Sequence, residues 1–305
     1  CSNLLQQLYN IVDTLIVGRF IGTGALAAVG SAYTLMTFII SILLGMCMGS
    51  GAIFSIRFGE KRWDHLRENI FTSFVMIAFF SAVLNILSFV MIDAIMHFIS
   101  VPDEVYGLMR EYLRVVFCGI FASFLYNFFA SLLRAVGNSM MPLVFLGVSA
   151  VLNIALDLVF VLGFDMGVGG AALATVISQW IAGAGMMFYT LVKCSELRSQ
   201  RKDMKITAAG LGEITGASVL TCLQQSVMNL GILMVQGLVN SFGTAVMAAF
   251  AAAVKIDAFA YMPLQDFGNA FSTFIAQNYG ARKEERIRKE IRSALCSMLI
   301  FSAVI

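Results

Sequence analysis

Six stretches of this chain, 20–56, 69–92, 115–133, 135–156, 166–192 and 214–254, contain no Asp, Glu, Lys or Arg. About 20 such residues suffice to carry a helix across a bilayer, so the chain must fold largely within lipid. The longest runs must hold a loop as well as one or more spans. Composition agrees: 59% of residues are hydrophobic, 12% are charged, and the mean hydropathy is +0.86. A soluble domain carries about twice that charge. The short alternating strands of a membrane barrel are missing from the pattern, which leaves helices as the way to satisfy the backbone in hydrocarbon. The fold class expected is an all-α membrane protein.

Apolar runs and turn residues place helices near 3–19, 31–56, 69–97, 106–134, 141–163, 168–193, 213–241 and 245–278, with a ninth beginning near 292. Pro142 falls in the first turn of its helix, where its missing N–H does no harm, whereas Pro263 lies inside a span and is expected to kink it. The connections at 57–67, 134, 193–205 and 282–292 hold 16 of the 20 basic residues, and they share one side if every helix spans. Cytoplasmic loops carry the positive excess, so the amino terminus is expected in the cytoplasm of a multi-pass cell-membrane protein. The basic segment 282–292 is amphipathic and suits lipid headgroups, without any need for nucleic acid.

An internal repeat sharpens the architecture. Gly22-Thr-Gly-Ala-Leu-Ala-Ala28 returns 221 residues later as Gly243-Thr-Ala-Val-Met-Ala-Ala249, and Arg57-Phe-Gly-Glu-Lys61 returns as Asn278-Tyr-Gly-Ala-Arg282. Leu5-Gln-Gln7 matches Leu223-Gln-Gln225 at a spacing of 218. An even number of helices separates the copies, so both enter the membrane in the same sense. Two parallel six-helix bundles are a transporter architecture. The divisions expected are a first lobe over 1–193, a cytoplasmic linker over 194–212, and the start of a second lobe over 213–305.

Asp13 is the residue most in need of explanation. It lies on a polar helical stripe with Asn3, Gln6, Gln7, Asn10 and Thr14, and a carboxylate in lipid costs several kcal/mol unless something uses it. Asn153 and Asp157 stand at i and i+4, with Ser149 one turn earlier, so their oxygens share a helix face. Buried carboxylates bind protons more tightly and release them when a cation approaches, and their oxygens suit a hard alkali ion. Thr175, Ser178 and Gln179 share another face, where function and helix packing are equally good readings. Gln225, Asn229, Gln236 and Asn240 repeat the polar stripe on the seventh helix, and Lys255, Asp257 and Asp266 put three charges into the eighth. An ion pair between lobes and a substrate or coupling role fit those three equally well. The six scattered cysteines read as small buried hydrophobes. The 18 Met and 26 Phe read mainly as lipid-facing or packing residues, although Met also suits a cavity that accepts varied ligands.

The chain resembles the multidrug and toxic compound extrusion (MATE) transporters along its whole length. The resemblance is carried by Gln7-Leu-Tyr-Asn-Ile-Val-Asp13-Thr-Leu, Leu133-Arg-Ala-Val-Gly137, Asn153-Ile-Ala-Leu-Asp157, Gly167-Val-Gly-Gly-Ala-Ala-Leu-Ala-Thr175 and Gln277-Asn-Tyr-Gly280-Ala. It implies twelve helices in the full protein, about eight and a half of them present here. It also implies an ion-coupling site formed by Asp13, Asn153, Asp157 and Thr175, which would be the metal ligands if the ion is Na+. Gln7, Asn10, Gln179, Gln225 and Asn229 are the candidates for lining a central cavity. The activity implied is antiport, with organic, cationic and amphipathic compounds exported in exchange for H+ or Na+ by a monomer that needs no other cofactor. The partners implied are small organic molecules and the bilayer. A lipid-linked oligosaccharide flippase of the same superfamily would require a strongly basic cavity, and few basic residues lie within the spans. An intramembrane aspartyl protease built on Asp13 and Asp157 would require a Gly-x-Gly-Asp motif, which the chain lacks. No enzyme activity is expected.

Overall fold

The computed structural model describes residues 12–198 and 203–304, and those residues form helices with no strand among them. Helix α1 covers residues 12–20, followed by α2 (Thr23–Gly59), α3 (Trp63–Val90), α4 (Ile92–Phe98), α5 (Asp103–Phe117) and α6 (Ile120–Ala135). Then come α7 (Met140–Asp157), a π-helical turn (Leu158–Gly163), α8 (Gly167–Lys193), a 3-10 turn (Ser195–Leu197), α9 (Ala208–Asn240), α10 (Thr244–Gly280) and α11 (Glu284–Val304).

Five of these helices are long and apolar enough to cross a membrane, and the α5–α6 pair makes a sixth if it is one span bent by 47°. Large apolar side chains such as Val90, Phe98, Leu220 and Ile256 stand exposed on the outer faces. That distribution is what hydrocarbon, not water, rewards. In α10 the apolar stretch Thr244–Val254 is followed by Lys255, Asp257 and Asp266.

Several expected boundaries differ. The third expected helix, 69–97, is interrupted at Met91 and forms α3 and α4. The fourth, 106–134, breaks at Cys118–Gly119 into α5 and α6. The ends exposed by that break are satisfied from outside: Asn85 of α3 donates to the Phe117 carbonyl at 2.6 Å, and Trp180 of α8 donates to the Cys118 carbonyl at 3.1 Å. A sharp bend persists where other side chains take up the freed carbonyls. The seventh helix begins at Ala208 and not near 213, with Thr207 capping it through Oγ1, which accepts from the Gly210 N–H at 3.3 Å. The ninth begins at Glu284, so the basic segment 284–292 forms its first two turns and not a connection. The backbone of α10 stays helical across Pro263.

The core is centred on α2, which packs against α3, α5, α6, α9 and α10. An aromatic cluster ties its inner half to α3 and α6: Phe54 meets Phe128 edge-on with centroids 6.0 Å apart, and Phe74 meets Phe128 at 5.3 Å. Helices α7 and α8 pack on each other and on α6 to form the other side.

The sequence repeat is also a repeat of geometry. α2 and α10 are both 37 residues long, and each is entered through a glycine in the left-handed region, Gly22 with φ 122° and Gly243 with φ 91°. A side chain is disfavoured at both positions for that reason. Both helices are left through a positive-φ basic residue, Lys61 with φ 59° and Arg282 with φ 55°. The Lys61 N–H donates to the Phe58 carbonyl and the Arg282 N–H to that of Tyr279, each at 3.0 Å.

Candidate functional site

Asn153 and Asp157 lie on the last turns of α7, one turn apart, and both are buried, at 1% and 0% relative exposure. Their helix is held to α8 by polar contacts on the same face. Ser149 donates to the Ser178 carbonyl at 2.9 Å, and Asn153 Nδ2 donates to Thr175 Oγ1 at 3.3 Å. Thr175 in turn donates to the Ala171 carbonyl one turn back, at 3.1 Å, which fixes its rotamer.

Those bonds use up the donors and leave acceptors over. Asn153 Oδ1 and both carboxyl oxygens of Asp157 are buried with no hydrogen-bond partner among the described residues. Asp13 on α1 is buried at 6% exposure and close enough for its charge to act on Asp157. Two carboxyl groups and an amide oxygen thus gather in one place, and three of those oxygens, on Asn153 and Asp157, have no donor among the described residues. Buried acceptors left unpaired cost free energy. A proton or a small cation would relieve both the missing bonds and the repulsion between the acids. The structure therefore brings Asp13, Asn153, Asp157 and Thr175 together. Among the described residues no group of three or more His, Cys, Asp or Glu side chains could hold a metal. Any cation here would have to use amide and hydroxyl oxygens as well as the two carboxyl groups.

Immediately after Asp157 the helix loosens into the π-turn Leu158–Gly163, a feature the periodicity did not reveal. Wide turns of this kind are rare and cluster at functional sites. The signal for it in the sequence is faint, because Leu158-Val-Phe-Val-Leu reads as ordinary apolar helix.

The other predicted residues are placed differently. Gln7 and Asn10 lie outside the described residues, as does the side chain of Lys255. Gln179 Oε1 accepts from Ser123 Oγ at 3.2 Å, beside Gly119 at the α5–α6 bend. Gln225 and Asn229 are buried, with Asn229 Nδ2 donating to the Gln225 carbonyl at 2.9 Å and Gln225 Nε2 directed at Met48 Sδ, 3.8 Å away. Asp257 is on an exposed face of α10, while Asp266 is half-buried and near enough to Tyr126 of α6 to act on it electrostatically.

One ion pair between the two halves escaped sequence reasoning. Arg57 Nη2 donates to both oxygens of Glu213 on α9, at 2.8 and 2.6 Å, while Nη1 reaches Glu60 at 3.0 Å. Glu213 is the first residue of the expected second lobe, and nothing in its sequence surroundings marks Arg57 as its partner.

With this geometry in hand, comparison with known proteins is decisive for the class. The MatE family model matches residues 1–159 and 217–305, and the chain belongs to that family. It is 29% identical over 290 residues to the "Probable multidrug resistance protein YpnP" of Bacillus subtilis, covering 94% of this chain and 64% of the relative. It is 24% identical to the "Probable multidrug resistance protein NorM" of Thermotoga maritima, covering 100% of this chain and 66% of that one. The chain thus spans about two thirds of the length of these relatives. Among solved structures it superposes on the MATE multidrug transporter DinF-BH with a TM-score of 0.92 at 26% identity, covering 99% of this chain and 68% of the other. An outward-facing MATE family transporter matches with a TM-score of 0.88 and an inward-facing one with 0.78, at 22% and 23% identity, each over 98% of this chain and 67% and 68% of the other. These agreements establish an all-α, multi-pass membrane fold.

Proposed function

We propose that this chain is the greater part of a secondary antiporter that exports organic, cationic and amphipathic compounds in exchange for H+ or Na+. The observation that carries this reading is the set of unpartnered buried oxygens on Asp157 and Asn153, with the Asp13 carboxyl near enough to act on them and Thr175 held beside them. Acids inside a membrane are rare without a function, and one positive charge would complete this set. Alternation between a proton or Na+ and a cationic substrate then couples one gradient to the other. The sulfur- and amide-lined α2–α9 seam at Met48, Gln225 and Asn229 is the companion surface for substrate.

In this reading the first lobe comprises 1–193 and the second begins at 213, joined by the basic segment 194–212, and the lobes rock about an axis along the membrane normal. The basic connections gather at one end of the molecule, where Arg67 Nε donates to the Glu196 carbonyl at 2.8 Å and Gln277 Nε2 to the Ala135 carbonyl at 2.8 Å. That end is assigned to the cytoplasm, together with the amino terminus and the linker. The protein works as a monomer in the cell membrane.

The test is dye efflux from proteoliposomes holding the full-length protein, with pH and sodium gradients imposed separately. One of the two gradients should drive efflux. Failure of both, with correctly inserted protein, would refute the antiport reading.

A further inference from the structure

Helices α2 and α10 touch at positions that the internal repeat relates to each other. Gly30 lies against Ala251, its own counterpart 221 residues on, so closely that a Cβ on Gly30 would collide with that of Ala251. A residue that meets its own repeat copy marks the pseudo-two-fold axis. At the basic end the contacts come as a reciprocal pair. A Cβ on Gly59 would collide with the Gln277 carbonyl oxygen, and a Cβ on Gly280 with the Ile56 carbonyl oxygen. Gly280 is the repeat copy of Gly59, and Gln277 is the copy of Ile56. Such reciprocity is the signature of a self-complementary two-fold interface.

Neither Gly59 nor Gly280 has a positive φ, so close packing and not backbone conformation excludes a side chain there. At these glycines the helices meet backbone to backbone, as small residues allow in membranes. What fastens this end is polar: the Arg57–Glu213 pair, with side chains 19% and 38% exposed, the Gln277 Nε2 bond to the Ala135 carbonyl, and, about two turns inward along α2, the contact of Ser50 Oγ with Ser218 Oγ at 3.3 Å. Water can replace such bonds when the helices part.

We infer that the Ile56–Gly59 and Gln277–Gly280 crossing is a gate, closed in this structure, that seals the basic mouth of the cleft between the halves and is latched by Arg57 and Glu213. The inference rests on the two-lobe transport reading above. It assigns the two glycines a role that neither hydropathy nor the acid cluster suggests: they let the gate close fully.

The experiment uses the full-length protein with its native cysteines replaced. A Ser50→Cys/Ser218→Cys pair should form a disulfide under mild oxidation, stop efflux, and recover it on reduction. Undiminished efflux with the disulfide intact would overturn the gate. A readout independent of transport is labelling of a single Ser218→Cys by a membrane-impermeant maleimide applied at the basic face. Adding Gly59→Ala or Gly280→Ala should raise labelling about tenfold, since overpacking penalties of ordinary size shift a two-state equilibrium by that much. Glu213→Gln adds no bulk and should raise it by a smaller factor, which guards against misfolding of the alanine variants. Unchanged labelling in all three would refute the gate. Raised labelling without efflux under either gradient would uphold the gate and refute the antiport reading alone.

Discussion

Among the described residues, the buried polar groups at the α2–α9 seam and those between α7 and α8 are built in opposite ways. At the α2–α9 seam, Asn240 Nδ2 donates to Ser31 Oγ at 3.1 Å and to the Ile99 carbonyl at 2.7 Å, while its Oδ1 accepts from Gln236 Nε2 at 2.8 Å. Thr34 completes the set by donating to Gln236 Oε1 at 3.2 Å. Donors and acceptors are matched, so this cluster holds helices together and has no room for a further charge. At the α7–α8 pocket, three oxygens of Asn153 and Asp157 are left over. The repeat underlines the contrast. Gly231, the counterpart of Asp13, has open space where its side chain would be, so the second half carries no equivalent acid. Saturation distinguishes a polar group that fastens from one that exchanges.

The contrast can be broken most sharply at the acids. Asp157→Asn keeps the shape but cannot titrate, so gradient-driven dye efflux should fall to background while expression and folding persist. Asp13→Asn should do the same, and the double variant should lose no more than either single one, since groups acting as one unit are strongly non-additive. Additive partial losses, measured as initial efflux rates, would separate the two acids into different sites.

A smaller effect is expected at the saturated cluster. Asn240→Leu removes one member and strands buried groups on Ser31, Gln236 and the Ile99 carbonyl, a loss of about 1–3 kcal/mol in stability. Thermal unfolding in detergent should register it, while the ratio of ions exchanged to substrate moved stays unchanged. An altered ratio without loss of stability would show that the seam takes part in coupling.

The smallest effect belongs to an exposed cluster around Asp93, which lies between the spans. Arg110 donates to both oxygens of Asp93 at 2.7 Å, and Tyr106 donates to it at 2.9 Å. Hydrogen bonds from Arg110 and then Tyr106 hold the Asp93 carboxyl at about 2, below its ordinary 3.8. A lowered carboxyl value stabilises the fold above the ordinary value, and that contribution fades as pH falls through about 2. Asp93→Asn should therefore lower the melting temperature slightly at neutral pH, with the gap to the parent closing as pH drops from 3.8 toward about 2. A gap independent of pH would assign the effect to packing.

The sequence by itself determined the membrane class, the repeat and the shared face of Asn153 and Asp157, while the grouping of that pair with Asp13 and Thr175 was what the family resemblance implied. The first three depend on residue type at a fixed spacing, and lipid enforces such patterns whatever the neighbours are. Asn153 and Asp157 share a face because i and i+4 always do. Only the tertiary structure decided where helices break. The bend at Cys118–Gly119 depends on Asn85 and Trp180, which lie 32 and 62 residues from the carbonyls they cap. It also decided which polar residues find partners on other helices: Gln236 and Asn240, bonded to Thr34 and Ser31, looked no different in sequence from Gln225 and Asn229. Hydropathy records what a residue avoids, whereas a hydrogen bond or a backbone contact such as Gly59 on Gln277 depends on a partner brought near only by folding.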